Sequence, residues 1–193
     1  MTVLVTTTII GPLVAAALAL ALRSRPQLRD VVTLLGLAAS TASAFGILYR
    51  VANSGSVAIR VGEWPRELGI VLVADLFAAL VLPIALSIIL VVELFAIGQR
   101  RTAWGANPEL AGPLLLVLTS GVSLAILTGD LFTLFVAFEL ILVSSYVLLT
   151  HQGRRGQVRS GMTYVVMNLF ASTLFLFGLA LIYGATGTVN LGL

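Results

Sequence analysis

Long stretches without a charged side chain constrain this chain more than anything else in it. Met1 to Leu22, Val31 to Tyr49, Ala111 to Gly129 and Gly161 to about Gly184 carry no Asp, Glu, Lys or Arg. Gly69 to Gly98 carries only Asp75 and Glu93, and Leu131 to Thr150 only Glu139. A hydrocarbon core about 30 Å thick is crossed by about 20 apolar residues in a helix. Backbone groups in lipid must hydrogen-bond within their own segment, so each run is predicted to be helical. The composition agrees: 59% of residues are hydrophobic and 10% charged, against norms of roughly 45–50% and about 25%. A soluble globular domain, a disordered chain and a nucleic-acid-binding protein are thereby excluded. Uninterrupted rather than alternating apolar runs exclude a barrel. The expected fold is an all-α, polytopic transmembrane helical bundle of about six spans, lying in the lipid bilayer.

The arginines orient it. All 11 cations are Arg, with no Lys. Arg23, Arg25 and Arg29 follow the first run, Arg100 and Arg101 the third, and Arg154, Arg155 and Arg159 the fifth. The other side holds only Arg50, Arg60 and Arg66. The positive-inside rule makes the Arg-rich side cytoplasmic, which puts the N-terminus outside a cell (plasma) membrane and, after six spans, Leu193 outside as well. The first run is not a cleaved signal, because no basic residue precedes it. Val51 to Leu68 is then an outer loop. Asn53-Ser54-Gly55 is a turn signal and Val57-Ala58-Ile59-Arg60-Val61 partly alternates, so a short β-hairpin is predicted there. Trp64 and Trp104 suit either interfacial anchoring or loop packing. Pro83, in the middle of the third run, should kink it or end it locally.

Ionisable groups inside a span cost roughly 2.5–3.5 kcal/mol each and are functional candidates by default. Glu139 is the central one, close to mid-membrane. At 100° per residue Tyr146 and Thr150 fall within about 20° of it, with Phe132 and Phe135 on the preceding turns. Burial favours the neutral form of a carboxyl and a nearby cation the charged form, so a group balanced between them can exchange protons. In the sixth run Tyr164, Asn168 and Ser172 form a second stripe, which can hold water or act as interhelical glue. Asp75 and Glu93 are five turns apart, on one face of a straight helix and about 27 Å from one another. They are either gateways for ions or end charges that reach water. Asp130 suits the N-cap of the fifth helix. His151 is either a proton relay or a solvated interfacial side chain. With no Cys and one His, neither a metal site nor a cofactor is expected. No basic residue lies within a span interior, so a path alternating carboxylate and amine needs a cation from outside this chain.

Thr128-Gly-Asp-Leu-Phe-Thr-Leu-Phe-Val-Ala-Phe-Glu139-Leu, followed by Ser144-Ser145-Tyr146-Val-Leu-Leu, resembles the fifth span of the antiporter-like membrane subunits. That family is shared by Mrp-type multisubunit Na⁺/H⁺ antiporters and respiratory complex I, and the likeness is greatest to the Mrp D-type branch. Gly62-Glu63-Trp64-Pro65 leading to Asp75-Leu-Phe-Ala-Ala-Leu, and Tyr183-Gly-Ala-Thr-Gly-Thr-Val-Asn190, extend the likeness through nearly the whole chain. The resemblance implies the N-terminal portion of a longer subunit of about fourteen spans, with inverted repeats of five helices starting near the fourth span. It implies that Glu139 matches a proton-transfer glutamate, paired in the family with a lysine of the seventh span. Thr163 departs from the pattern, since many relatives carry lysine before the aromatic at Tyr164. The implied function is exchange of outside H⁺ for inside Na⁺ with other antiporter subunits as partners, by a secondary transporter rather than an enzyme. One alternative is a proton-pumping subunit of an NADH-quinone oxidoreductase or membrane hydrogenase. The other is an inactive structural fragment.

Overall fold

The computed structural model describes residues 1–61, 69–99, 109–150 and 155–192. Six helices follow one another: α1 (Thr2–Ala21), α2 (Pro26–Ser54), α3 (Leu76–Gln99), α4 (Ala111–Leu127), α5 (Leu131–Thr150) and α6 (Arg155–Thr186). Two strands, β1 (Val57–Val61) and β2 (Ile70–Ala74), stand between α2 and α3. Five of the helices are long and apolar enough to cross a membrane. α4 has the same apolar character in 17 residues, about 26 Å at 1.5 Å per residue.

Three boundaries differ from the sequence expectation, one of them the start of α6, which begins at Arg155 rather than Gly161 and so takes in Arg155 and Arg159. α2 begins at Pro26, whose fixed φ suits a first turn, and runs on to Ser54 before Gly55 turns the chain at φ 80°. Arg29 is therefore not a loop residue: it lies in α2 and is 4% exposed. The third apolar run is not one helix either. Its first part is β2, paired antiparallel with β1 from Val57↔Ala74 to Val61↔Ile70. The β-branched Ile70, Val71 and Val73 suit a strand, and Leu72 and Ala74 turn one face into the core. Asp75 then caps α3, its Oδ1 accepting from the Ala78 N–H at 2.7 Å.

The helices pack as neighbours in a bundle: α1 on α2 and α4, α2 on α3, α4 on α5, and α5 on α6. Val5, Ile9, Ala44, Ile47, Leu72, Leu82 and Leu127 fill the core at the hairpin end. Ala15, Ala16, Leu37 and Leu116 form a second core further along. Polar residues within the core are largely satisfied locally. Thr8, Thr33, Thr41, Thr119 and Ser144 each donate to the carbonyl four residues back. Ser120 instead ties two helices, its Oγ donating to the Ile9 carbonyl of α1 at 2.7 Å.

Asp130 is the knot at the hairpin end. Its carboxylate accepts from the Thr133 N–H at 2.6 Å, capping α5, and from the Val71 N–H of β2 at 3.3 Å. Around it the Gly129 N–H donates to the Val71 carbonyl, Leu131 N–H to Val189, and Leu191 N–H to Gly129. The hairpin, the α4–α5 turn and the segment after α6 are thus joined. Removing a cap and leaving buried N–H groups unsatisfied costs about 1–2 kcal/mol. Asp130→Ala is expected to lower the thermal unfolding midpoint of the detergent-solubilised protein, and Asp130→Asn, which keeps one acceptor, to lower it less. An unchanged midpoint in Asp130→Ala would show that these bonds do not hold the hairpin end together.

Candidate functional site

Glu139 lies eight residues beyond the first residue of α5, about 12 Å along a helix of about 30 Å. It is half-buried against α6. There Ser172 Oγ donates a hydrogen bond to Glu139 Oε1. Val165, Asn168, Ser172, Phe175 and Leu179 are half-buried while most of α6 is exposed. Their spacing of three and four residues makes a single seam against α5. A short polar hydroxyl on that seam therefore meets the one acid of the facing helix.

Aromatic rings enclose the pair. Phe175 stacks on Phe135 with centroids 5.9 Å apart and an interplanar angle of 27°. It meets Phe138 edge-on at 6.2 Å and 72°. Phe135, Phe138, Leu142, Ala171 and Phe175 line, with Glu139 and Ser172, a cavity of about 120 Å³. That is room for a few waters at about 30 Å³ each. A carboxyl with one hydroxyl partner thus lies in a small aromatic-walled cavity between α5 and α6. Phe138 and Phe175 were not legible as part of the site. The periodicity of α6 places Phe175 beside Ser172, but nothing in one helix shows which helix it faces.

The remaining candidates are spread out. Asn168 sits one turn from Ser172 on the seam, and its Nδ2 is buried with no hydrogen-bond partner among the described residues. Tyr146 and Thr150 are half-buried further along α5, and Thr150 Oγ1 donates to the Tyr146 carbonyl at 2.8 Å. Tyr164 stands at the edge of the seam, 37% exposed. Asp75 is exposed and lines an open cavity of about 500 Å³ at the hairpin end, together with Arg60, Thr128 and Asn190. Glu93, at the other end of α3, is completely buried. His151, Trp64 and Trp104 lie outside the described residues.

A multi-pass bundle of apolar helices with a carboxyl held between two of them defines an integral membrane protein of the polytopic class. Likeness to known proteins narrows it. Residues 128–192, which contain the whole seam, match the family model described as NADH:quinone oxidoreductase/Mrp antiporter, TM. The chain is 44% identical over 141 residues to the D subunit of the Na(+)/H(+) antiporter of Alkalihalophilus pseudofirmus, covering 73% of this chain and 28% of that one. It superposes with a TM-score of 0.87 on a chain of the Mrp complex from Dietzia sp., at 36% identity, over 98% of this chain and 36% of that one. It also superposes, at a TM-score of 0.85 and 30% identity, on a chain of an archaeal membrane-bound sulfane sulfur reductase, over 98% of this chain and 39% of that one. The chain belongs to the antiporter-like membrane subunit family that Mrp antiporters share with NADH:quinone oxidoreductase. Within that family it is similar to the antiporter D subunits, and it spans about a quarter of the length of the Alkalihalophilus relative.

Proposed function

We propose that this chain is part of a subunit of a multisubunit monovalent cation/proton antiporter, that the cation is Na⁺, and that Glu139 carries the proton. The observation that supports it most is the pairing of Glu139 with Ser172 in a small cavity between α5 and α6. A carboxyl at mid-membrane is expensive unless it is used or paired, and a hydroxyl can donate to the carboxylate or accept from the protonated acid. The covered share of the relative supports reading the chain as one part of a longer subunit, with its cationic partner elsewhere. The arginine asymmetry supports a cytoplasmic end opposite the hairpin. Other antiporter subunits are the partners this reading requires.

A second reading is favoured by one observation, the close superposition on a chain of a respiratory membrane complex. In it the same Glu139 moves protons under a redox drive supplied by other subunits. The two separate in inverted vesicles that hold the complete complex and an imposed ΔpH. Under the antiporter reading Na⁺ collapses the gradient in the wild type and fails to in Glu139→Gln. Na⁺ without effect on the wild type would sink the antiporter reading. An electron donor that builds a gradient only when Glu139 is intact would establish the redox pump. Transport unaffected by Glu139→Gln would leave a scaffold.

A further inference from the structure

A second charged site lies at the end of the bundle away from the hairpin, where α2, α3 and α4 meet. Glu93 of α3 is 0% exposed. Arg29 of α2 is 4% exposed, and its positive charge acts on the Glu93 carboxylate. The guanidinium is held by Asp30, with Nε and one terminal nitrogen each 3.1 Å from Oδ1. Thr33, also 0% exposed, donates to the Arg29 carbonyl at 3.0 Å. α4 enters this junction through Gly112. A Cβ there would fall 2.9 Å from Thr33 Oγ1 and 3.4 Å from Glu93 Oε1. Only a residue without a side chain lets the third helix come this close to the hydroxyl and the carboxylate.

Packing alone does not account for the arrangement. Apolar residues of similar volume often replace a buried ion pair at no cost, or with a gain in stability. Accessibility also falls in steps, from the Asp30 side chain at 19% to that of Arg29 at 5% and then to the fully buried Glu93. Arg29 cannot give up its own proton, so it serves as a fixed charge beside a group that can. Glu93 is six residues from the end of α3, about 9 Å in from the end opposite the hairpin. Glu139 is about 12 Å in from the hairpin end, with α4 packed between α3 and α5. The two carboxyls thus stand on either side of one helix, each nearer a different end.

We propose that Glu93, set between Arg29, Thr33 and Gly112, is a second proton-binding station of the transport pathway, distinct from Glu139 and serving the end of the bundle opposite the hairpin. This rests on the antiporter reading. The charges that the described residues place at this end of the α2, α3 and α4 helices are Arg29 and Asp30 of α2, Arg25 at its N-cap, Glu109 ahead of α4 and Glu93 itself. α1 and α4 contain no ionisable side chain.

The test uses the complete complex in inverted vesicles, with Na⁺-driven proton flux measured against pH and normalised to assembled complex. Glu93→Gln is expected to lower normalised flux about tenfold or more, and Glu93→Asp to restore a large part of it. Recovery of flux by Glu93→Asp and not by Glu93→Gln separates proton exchange from packing at equal amounts of assembled complex. Wild-type normalised flux in Glu93→Gln overturns the proposal. So does a loss in Glu93→Gln that disappears on normalisation. Glu139→Gln serves as the control: if it remains active, the antiporter reading with Glu139 as carrier fails, whereas an inactive Glu139→Gln beside a normal Glu93→Gln rejects only the second station.

Discussion

Glu139→Gln in the assembled complex should reduce Na⁺-driven proton flux about 100-fold or more, to the level of vesicles without the complex. The amide keeps the size of the side chain and still accepts a hydrogen bond from Ser172, so the α5–α6 seam stays closed and the complex accumulates normally. What is lost is the ability to hold a proton reversibly. Glu139→Asp keeps that chemistry but withdraws the carboxyl by one methylene from Ser172, so flux should fall partially. Ser172→Ala should fall partially too, because the carboxyl remains and only its donor is gone. A graded series, with Gln far below Asp and Ala, fits proton transfer. Equal losses in all three, each tracking the amount of complex, would reduce the pair to helix packing.

The second large effect concerns a residue with no chemistry of its own. Gly121 of α4 faces α5 so closely that a Cβ would lie 2.8 Å from Ile141 Cγ1 and 3.1 Å from the Ile141 backbone nitrogen. A side chain can turn aside, but a helix backbone cannot. Overpacking of this kind costs about 1–3 kcal/mol for a small residue, so Gly121→Ala should form less complex but remain measurably active. Gly121→Leu must drive α4 from α5 at Leu140 and Ile141. Its assembled complex is expected to fall to about a tenth or less, as for the largest single-residue destabilisations. Wild-type levels of Gly121→Leu on a native gel would mean that the two helices do not approach as described.

The span pattern and the acid at its centre were legible because lipid excludes charge so strongly that a single Glu in an apolar run stands out. Three things were not. β2 reads as the start of a helix, since a run of Ile, Val and Leu carries no period that separates a strand from a buried helix. Arg29 reads as a loop residue because charge itself marks the loops. Its burial depends on Asp30 and on the distant Glu93, which no local pattern links to it. The pairing of Ser172 with Glu139 was only half visible. Each stripe is fixed by helical geometry, but the rotation of one helix against the other is set by packing, here by the Phe135, Phe138 and Phe175 rings.

The backbone ties around Asp130 also set a pivot. Among the described residues, the backbone hydrogen bonds that join separate elements beyond the hairpin itself lie at this one end. α6 is anchored there through the segment that follows Thr186, and Ser172 is fourteen residues back along the helix, about 21 Å by helical rise. A lever of that length multiplies small rotations: a tilt of about 5° carries Ser172 sideways by about 2 Å, enough to break its hydrogen bond to Glu139. A rigid swing of that size would part the carboxyl from its partner without any helix unwinding.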